Sequence, residues 1–594
     1  MAAIITSKFR FHNAEQFKES FSEAAATNYY LFIGRPGEFA TGTTGGTDSA
    51  PPVPVDNRRS EAYHWDDMLA AKKIDSTGVT HAVPRRDLDV SGATTYDMYR
   101  PDYSTSNAAN SGATTLFDST FFFITSSYRV YKVLDNGGNI AWDAAEPTSV
   151  SSAPFSVAVT GGTYSLKYMF TLSTTEVQNF LTPDFIPVSI TPESGNNLAD
   201  GSLYNVKVTT AGVGLGGGNA WAITADRVVT NVPVRGDGKG ALASVTIGGT
   251  SGSNDGQITT VAVSSNGTGY THANIIMADV IEQHDLQNTT VSEALTFSVT
   301  PVLEVIIGPD GGLGSNPAKE LGGHFCLMDV KLQQTEAYDF SVVNDFRQIG
   351  IVRNPYSYAT SSNFTGSTAR QTYAVKLASN SGTFTVDEKI SQDIAAQLIG
   401  TITVTGNIIT VNTSAAHLLA TGQMVDITGG TWTGTTVSNA TGHQGTHHIT
   451  VTDSDTFTIT VSTSRTPSAV SGLTPPASGV TYTTFSPQAI VVEFDATNKV
   501  LFYVQNAYDN QGTDATWKQK IPFSGNSTIT GADSEATGVP DTANSGTYNN
   551  TVFVAGYTNP ELQPDSGDVI YIENRKPISR ASDQTEDVKI VVEF

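Results

Sequence analysis

The chain has 594 residues, of which 57 are Asp or Glu and 33 are Lys or Arg, so its formal net charge is −24. This balance gives no basic footprint for a nucleic-acid backbone or an anionic membrane surface, and neither partner is expected. The single cysteine, Cys326, excludes an internal disulfide framework and zinc sites built from paired cysteines.

The composition predicts a chain built mainly of β-strands, in about four domains. Thr, Ser, Val, Ile and Gly fill long stretches, and charged residues make up only 15% of the chain, where about 25% is usual. We predict several β-sandwich or barrel-like modules, with a few short helices in the N-terminal segment. Because no run of about 20 apolar residues and no secretory leader pattern is present, we expect synthesis in a cytoplasm and no membrane insertion.

The first segment, residues 1–197, is expected to alternate strands with short helices. Apolar side chains three or four residues apart indicate the helices, which begin after residues that can cap them. The expected elements are a strand beginning at Ile4 and Ile5, a helix capped by Asn13 that runs through Ala25, a helix from Glu61 to Lys72 capped by Ser60, a strand over Tyr128–Val133 that turns at Asp135–Gly138, and a helix over Thr175–Leu181.

Residues 198–302 have a different texture and are interpreted as an inserted β-module with a weak internal repeat of strand and glycine-rich loop. The letters of the first loop, Gly212-x-Gly214-x-x-Gly217, match a dinucleotide-binding fingerprint. That fingerprint requires a helix directly after it to hold the pyrophosphate. Because Asn219–Val229 is typical of a strand instead, we interpret the match as a loop.

The residue pattern of residues 303–375 is again like that of the first segment. Beyond them, residues 376–406 together with residues 485–523 are interpreted as a second inserted β-unit. Its strand over Ile399–Val404 is expected to pair with strands that follow residue 484 in the chain. This arrangement leaves a separate module nested within the unit.

The nested module, residues 407–484, is expected to form a small sandwich or barrel, because turn residues interrupt its short strands at about ten-residue steps. The last segment, residues 524–594, begins with a loop-like linker over residues 525–549. It then ends on two apolar strands, over Asp568–Glu573 and Val588–Phe594. Strands as apolar as these are expected to be paired within a sheet.

The residue types that carry metal or nucleophile chemistry are few. The nested module contains His417, His443, His447 and His448, but none of them has the spacing of a metal-binding pair. Adjacent strand residues face opposite ways, so His447 and His448 cannot bind one ion together. Cys326 lies in an apolar run and is interpreted as a buried small hydrophobe.

No catalytic, cofactor or metal site is therefore predicted, and no small-molecule substrate is expected. Asp453 and Asp455 are typical of a turn, and the chain has neither a nucleophile-elbow motif nor a Walker loop. Two carboxylates that meet only in the folded chain stay open as the main enzymatic alternative, since such a pair need not be close in sequence.

Five stretches, in this order, resemble a known protein family. They resemble the baseplate wedge subunit of T-even-type contractile phages, the subunit that forms a dimer within each wedge. The resemblance covers about residues 1–190, 303–375 and 552–594. The stretches are Ile5–Arg10, Phe32–Arg35, Ala82–Asp87, Phe346–Pro355, and Ile570–Ile578 followed by Asp583–Asp587.

The resemblance implies a structural role in the virion tail baseplate and no enzymatic activity. In that family, six wedges surround a central hub and change shape when the tail contracts. The implied partners are a second copy of the chain, other wedge subunits and fibre-bearing parts. The β-rich blocks over residues 198–302 and from 375 to about 549 have no counterpart in the resemblance, and we expect the inserted modules on the outside of the assembly.

Exposed aromatic and arginine side chains commonly anchor protein interfaces. For each candidate the alternative is ordinary core or strand packing, because aromatic residues dominate cores as well as interfaces. The candidate interface residues are Tyr96, Tyr99, Arg100, Tyr103, Arg347, Arg353, Tyr356, Tyr571, Asn574 and Arg575.

Two other functions compete with the wedge interpretation. A receptor-binding or tail-fibre adaptor protein would use the same Gly- and Thr-rich β-modules, and would bind glycan or protein through the nested module. A tail-associated glycan hydrolase would require a carboxylate pair in a groove. A trimer favours the adaptor and a dimer favours the wedge subunit.

Overall fold

The fold was analysed in a computed structural model of the chain. The residues it describes are 5–23, 27–39, 45–193, 195–216, 219–220, 223–250, 255–288, 294–333, 339–393, 396–405, 408–417, 419, 421–422, 424–430, 445–460, 478–484, 487–505, 523, 525, 527–548, 550–581 and 584–594.

The described residues form short helices and many strands, so the predicted mainly β fold is confirmed. The helices are α1 (Ser7–Glu19), α2 (Arg58–Asp66), α3 (Thr174–Phe180), α4 (Met277–Gln287) and α5 (Pro317–Leu321). The strands before residue 200 are β1 (Tyr29–Gly34), β2 (Met68–Lys73), β3 (Val79–Pro84), β4 (Phe122–Ile124), β5 (Arg129–Asp135), β6 (Phe155–Val159), β7 (Gly162–Thr171) and β8 (Phe185–Val188).

The next strands lie within or next to the predicted first inserted module. They are β9 (Leu203–Thr210), β10 (Val213–Gly216), β11 (Asn219–Ala220), β12 (Arg227–Pro233), β13 (Arg235–Gly236), β14 (Lys239–Ile247), β15 (Ile258–Thr268), β16 (Ala273–Asn274), β17 (Leu295–Val299) and β18 (Val302–Ile307).

The remaining strands follow α5. They are β19 (Phe325–Gln333), β20 (Phe346–Arg353), β21 (Thr368–Arg370), β22 (Tyr373–Ser381), β23 (Lys389–Gln392), β24 (Gln397–Thr405), β25 (Ile408–Thr413), β26 (Met424–Gly429), β27 (Gly445–His448), β28 (Thr450–Val451), β29 (Thr456–Thr460), β30 (Val480–Thr484), β31 (Gln488–Asp495), β32 (Val500–Val504), β33 (Ile529–Gly531), β34 (Thr537–Pro540), β35 (Thr547–Tyr548), β36 (Thr551–Val552), β37 (Tyr557–Thr558), β38 (Asp568–Ile578) and β39 (Thr585–Glu593).

The first helix begins earlier than predicted. Thr6 caps α1 by accepting a hydrogen bond from the backbone nitrogen of Phe9, so Asn13 lies inside the helix. Ile5, predicted to lie in a strand, precedes the cap and is 63% exposed. Thr and Asn are both good caps, and the earlier position lets Phe11 face the core.

The second predicted helix is wrong in its second half. Asn57 caps α2, accepting from the backbone nitrogen of Ser60, and the helix ends at Asp66. Met68–Lys73 then forms β2, which lies between β1 and β21 in a sheet. Pairing on both edges satisfies the backbone of β2, so tertiary context overrides the helical spacing of its apolar residues.

The third helix is confirmed to within one residue. Ser173 caps α3 in a capping box with Glu176. The predicted strand and turn at residues 128–138 are also confirmed, since Asp135 accepts a hydrogen bond from the backbone nitrogen of Gly137 at 2.9 Å. Helices α4 and α5 lie beyond the N-terminal segment, where none was predicted.

The chain divides into two compact units. Unit 1 comprises residues 1–24, 75–329 and 589–594, and unit 2 comprises residues 25–74 and 330–588. The finer division into inserted and nested modules stays a prediction. No helix among the described residues is both long and apolar enough to span a membrane.

Unit 1 contains two four-stranded sheets, in the orders β4-β5-β7-β6 and β39-β19-β3-β8. An aromatic core that includes Phe123, Tyr131, Trp142 and Tyr164 packs on the first sheet. The strands from β9 to β18 have a core of their own, formed mainly by Val, Ala and Ile side chains of β12, β14 and β15. Gly212 directly precedes β10, and Gly214 lies in that strand, which pairs with β11 and β17, so the loop interpretation holds for Gly212 but not for Gly214; Gly217 lies outside the described residues.

Unit 2 contains an open sheet and two curved ones. The open sheet has the order β21-β2-β1-β20-β38, and its core includes Tyr30, Phe32, Trp65 and Val352. A seven-stranded sheet has the order β32-β31-β23-β33-β34-β22-β37, and β32 also pairs with β22, so this sheet closes on itself.

The other seven-stranded sheet, called here the nested barrel, has the order β27-β26-β30-β24-β25-β29-β28. Its two end strands are separated in the chain only by Ile449, so the barrel is nearly closed. Strand β24 was predicted to pair outside this module, which is wrong: it pairs with β25 and β30. The partner strand β25 follows directly in the chain, so this pairing closes only a short connection.

The predicted linker over residues 525–549 contains strands β33, β34 and β35. Its buried positions include the small residues Gly531, Ala536 and Gly538 beside Ile529 and Pro540. A Cβ at Gly538 would lie 2.6 Å from the Leu377 side chain. Close packing therefore requires glycine at a position where a strand pattern would show a larger apolar residue.

Candidate interaction surface

Two stretches that the sequence analysis selected separately, Phe346–Pro355 and Ile570–Ile578, lie side by side as the antiparallel strands β20 and β38. The register places Ile349 opposite Glu573 and Gly350 opposite Ile572. β20 is buried from Phe346 to Val352, whereas β38 is the outer strand of the open sheet. The more polar of the two strands therefore lies at the sheet edge.

Gly350 allows β20 and β38 to approach closely. A Cβ atom at this position would lie 2.4 Å from the Phe32 ring and 2.6 Å from the backbone oxygen of Tyr571. Both distances are shorter than any van der Waals contact, so a larger residue would displace either the core ring or the outer strand.

A chain of side-chain hydrogen bonds fixes β38 to its surroundings. Gln348 Nε2 donates to Asn574 Oδ1 at 2.7 Å, and Asn574 Nδ2 donates to the backbone oxygen of Pro52 at 2.9 Å. His64 Nδ1 lies 3.0 Å from Gln348 Oε1, an oxygen that can only accept. Burial lowers the pKa of His64, which favours the neutral ring. This chain links α2, β20, β38 and the proline-rich segment before α2.

The two arginines of the β20 motif have different surroundings. Arg347 is 4% exposed; its Nε lies 2.9 Å from Asp48 Oδ2, and its guanidinium also donates to the backbone oxygen of Pro36. Arg353 is exposed and pairs with Asp568 across the two strands, with 2.5 Å between Nη2 and Oδ2. Arg347 is therefore engaged inside its own chain, and only Arg353 can meet a partner.

An exposed apolar patch lies next to the outer strand. Val53 is 86% exposed, Val55 60% and Ile570 45%. The register of β38 shifts between Val569 and Tyr571, which leaves Ile570 as a bulge residue without a partner in the ladder. Residues 54–57 and 569–572 line a cleft of about 260 Å³ here. We call Val53, Val55 and Ile570, with Tyr571 and Arg575, the β38 surface.

The polar part of the β38 surface is organised around Glu573. Tyr571 donates its hydroxyl to Glu573 Oε2 at 2.7 Å, and Arg575 Nε donates to Glu573 Oε1 at 2.9 Å. Burial raises the pKa of Tyr571 to about 12, with the hydrogen bond to the carboxylate as a further cause. The phenol therefore stays protonated and presents a fixed aromatic ring beside the apolar patch.

The candidate residues before residue 110 all belong to unit 1, and most are interior. Tyr96 is 2% exposed, Tyr99 6% and Arg100 6%, while Tyr103 is half-buried. Arg100 forms a two-pronged ion pair with Glu304 of β18. These positions favour the alternative of core packing for Tyr96, Tyr99 and Arg100.

Tyr356 follows β20 in a loop and is 38% exposed. The loop begins at Asn354, whose backbone has a φ of 50°. The side chain of Asn354 stabilises this turn by accepting a hydrogen bond from the backbone nitrogen of Asn28 at 2.9 Å. The exposed ring of Tyr356 is therefore held on an ordered turn, as an interface anchor requires.

Sequence reasoning missed Val53 and Val55. A signal was available in Pro51-Pro52-Val53-Pro54-Val55, because prolines remove backbone donors and prevent strand pairing. Apolar residues between prolines therefore cannot be assigned to a sheet interior. The proline spacing was therefore a sequence signal for exposed apolar side chains at these two positions.

The histidine and cysteine predictions can be compared with the structure. Cys326 is buried, its thiol donates to the backbone oxygen of Ala14 at 3.3 Å, and burial raises its pKa to about 12. Within the described part of the chain, no three His, Cys, Asp or Glu side chains are placed to hold a metal ion. His417 is buried against the Phe457 ring. His443 lies outside the described residues.

Comparison with known protein families gives a match at the C-terminal end of the chain. A family model described as "Bacteriophage T4, Gp8" matches residues 539–594, which contain strands β35 to β39. The match supports a structural role in a phage baseplate wedge, and it does so for this end of the chain. No curated protein matches the chain. The resemblance of the stretches before residue 539 stays a prediction.

Proposed function

We propose that the chain is a structural subunit of a contractile-phage baseplate wedge, and that it forms a homodimer and contacts other wedge proteins through the β38 surface. The observation that carries this proposal is the family match over residues 539–594, since β38 lies within it. Exposed apolar side chains next to an ordered Tyr and Arg are typical of interface cores and their rims.

The residues of the outer strand β38 indicate that a partner protein would contact its side chains. They disfavour a partner that adds a further strand to the open sheet. The bulge at Ile570 interrupts the ladder, and Pro577 removes a backbone donor further along β38. Bulges, prolines and charges such as Lys576 are features that discourage edge-to-edge pairing. A partner would therefore bury Val53, Val55 and Ile570.

In this proposal the chain lies in the virion tail baseplate, takes part in the shape change of tail contraction, and helps to position fibre-bearing parts. The predicted inserted blocks, residues 198–302 and 376–523, would lie away from the shared surface. An insertion that covered the shared surface would prevent assembly. A baseplate density map with these blocks buried against the hub would overturn this placement.

The test measures mass and assembly. Light scattering on the purified chain should give a dimer, and mixing with the neighbouring tail proteins of the same phage should give a larger complex. The double variant Val53→Asp with Ile570→Asp should form neither the dimer nor the larger complex, because two charges would be buried in the interface. Val228→Asp is the matched control, since Val228 is 51% exposed in unit 1.

Two results would contradict the proposal. A stable trimer that binds cells or glycans and ignores tail proteins would indicate a receptor-binding or fibre-adaptor protein instead. If the double aspartate variant still formed the dimer unchanged, the assignment of the interface to the β38 surface would be wrong. A wedge role through another surface would remain compatible with that result.

A further inference from the structure

Two lysines lie opposite each other inside unit 1. Lys132 of β5 and Lys167 of β7 are partners in the antiparallel ladder, and both side chains are fully buried. Lysine is almost never fully buried unless it is paired. The buried carboxylate of Glu320, in α5, pairs with Lys132 at 3.0 Å, whereas Lys167 donates its hydrogen bonds to uncharged oxygens. The second lysine therefore lies in the core without a counter-charge of its own.

The amine of Lys167 lies against the side-chain amide of Asn196, which is 3% exposed. Lys167 Nζ is 2.5 Å from Asn196 Oδ1, and it also bonds to the backbone oxygens of Asn196 and Tyr168 at 2.9 and 3.0 Å. Because Oδ1 is bonded to Cγ at about 1.23 Å, Cγ lies within about 3.7 Å of Nζ. Reacting atoms about 3–3.5 Å apart are positioned for attack, so the amine and the amide carbon are close to reacting distance.

The other end of the amide is fixed by the backbone of β7. Asn196 Nδ2 donates to the backbone oxygen of Tyr168 at 3.0 Å and to that of Met169 at 2.6 Å. An amide nitrogen can only donate, and its oxygen can only accept. These two bonds therefore hold the amide of Asn196 in one orientation beside Lys167.

The surroundings of Lys167 favour a reactive amine. Burial lowers the pKa of Lys167 to about 8, while the charge of Glu320 partly opposes this shift and that of Lys132 adds to it. A neutral lysine amine is a nucleophile, and desolvation next to a second cation is a known way to obtain one. A substantial fraction of Lys167 is therefore uncharged at pH 8.

Gly314 brings the carboxylate of Glu320 next to the same pair. Its backbone nitrogen donates to Glu320 Oε1 at 2.6 Å. A Cβ atom at Gly314 would lie 2.6 Å from the backbone oxygen of Asn196 and 3.4 Å from Lys167 Nζ. Glycine is therefore required here, and its backbone lies between the carboxylate and the amine.

We propose that Lys167 and Asn196 join in an intramolecular isopeptide bond. The lone pair of Lys167 Nζ attacks Asn196 Cγ, the Nζ–Cγ bond forms, the Cγ–Nδ2 bond breaks, and Nδ2 leaves as ammonia. The proton that Nζ gives up passes through Glu320 to the leaving nitrogen, so no oxidant or cofactor is needed. The reaction occurs once in each chain and does not depend on the proposed function.

The bond would fix the base of the predicted first inserted block, residues 198–302. Asn196 lies just before this block, and the backbone nitrogen of Leu198 donates to the backbone oxygen of Leu313, beyond its end. A covalent link limits the freedom of the unfolded chain. The bond would therefore keep the segment that leads into the block attached to β7.

The test is intact mass spectrometry of the purified chain after incubation at pH 8, near the pKa of Lys167. The measured mass should be lower than the mass of the sequence by one ammonia, about 17 Da. Proteolysis at Glu176, between the two residues, should give two peptide arms that stay joined through Lys167 and Asn196. Asn196→Ala and Lys167→Met should each show the full mass and separate arms. Asn205→Ala is the matched control and should keep the link, since Asn205 is also buried and also donates to a backbone oxygen.

The role of Glu320 is tested by the double variant Lys132→Met with Glu320→Gln. Removing both members of a buried ion pair disturbs a fold less than removing one member, so this variant should still show a cooperative unfolding transition. It should contain no joined arms, because the proton acceptor is gone. Joined arms in the folded double variant would overturn the role of Glu320.

Two results would overturn the isopeptide bond itself. One is the full mass with separately recovered arms after prolonged incubation at pH 8, which would leave Lys167 and Asn196 as a hydrogen-bonded pair only. The other is a loss of ammonia that persists in Asn196→Ala, because the ammonia would then come from another residue. Both results are independent of dimer and wedge formation, so the two proposals can fail separately.

Discussion

The open sheet and the nested barrel of unit 2 use β-structure in opposite ways. The nested barrel is nearly closed, with Ile409, Val411, Phe457 and Ile459 inside. Its outer face carries threonines that align across four neighbouring strands, at positions 403, 410, 458 and 450. The open sheet instead ends in β38, with exposed apolar side chains beside it.

This difference separates stability from assembly. Closing a barrel pairs its strand edges and turns most of its apolar side chains inward, and among the described strands of the nested barrel Leu398 and Ile408 are the large apolar residues left exposed. An open sheet keeps an edge strand that must be protected or used. In the open sheet the chain of hydrogen bonds through Gln348 and Asn574 holds that strand in place.

The largest effect is expected from Phe457→Ala in the nested barrel. Phe457 is fully buried, so its removal leaves a cavity and should cost about 3–5 kcal/mol of unfolding free energy. Denaturant unfolding measures this cost, and light scattering should show an unchanged oligomer. Phe457→Leu should cost less. Loss of the dimer in Phe457→Ala would contradict the prediction that the nested barrel contributes to stability and not to the dimer interface.

A smaller effect is expected from Gln348→Ala in the open sheet. The substitution leaves polar groups of His64 and Asn574 without partners, at a cost of about 1–3 kcal/mol. Here dimer formation should weaken together with stability, because β38 loses its anchor. Gln333→Ala is the control, since Gln333 is exposed and, among the described residues, its amide bonds to Thr585 at 3.2 Å. A destabilised variant that still dimerises fully would contradict this coupling.

The pH dependence should act on the open sheet through His64. Burial lowers the pKa of His64 below its ordinary value of 6.5, and its hydrogen bond to Gln348 partly opposes the shift. Below pH 6.5 the unfolded chain therefore binds a proton more readily than the folded chain, so stability is greatest above pH 6.5 and falls on acidification. The unfolding midpoint should fall less between pH 7.5 and 5.5 in His64→Gln than in the parent chain. Equal losses would contradict the assignment.

The smallest effect is expected from Arg353→Ala. The Arg353–Asp568 pair is 46% and 62% exposed at its two side chains, so its loss should cost about 0–1 kcal/mol. Salt screens exposed pairs, so the difference from the parent chain should shrink at high ionic strength. A cost of several kcal/mol, or a cost independent of salt, would contradict the prediction that this exposed ion pair contributes little to stability.

The sequence predicted the fold class, the position of α3 and the two apolar strands β38 and β39 because these depend on local patterns. It failed at β2, where Met68–Lys73 has helical spacing but lies between two strands. It also failed at β33 and β34, where glycines, Gly531 and Gly538, take buried positions that a strand pattern would fill with larger apolar residues. In both cases the deciding contacts come from residues far away in the chain.

The candidate site was predicted in part for the same reason. Stretches on β20 and β38 were selected separately, and their pairing, which the structure shows, was not visible in the sequence. Tyr99 and Arg347 have the side chains of interface anchors, yet both are buried. Residue type alone cannot distinguish a core aromatic from an exposed one, because burial is a property of the tertiary fold.

The contact between α1 and residues 593–594 has a consequence for synthesis. Arg10 donates to the backbone oxygen of Phe594, a residue 584 positions later in the chain, and the Phe17 ring lies 5.3 Å from the Phe594 ring. At about 5–20 residues per second, translation separates these partners by roughly half a minute to two minutes. Throughout that interval, the apolar side of α1 has already left the ribosome, whereas its partner Phe594 has not yet been synthesised.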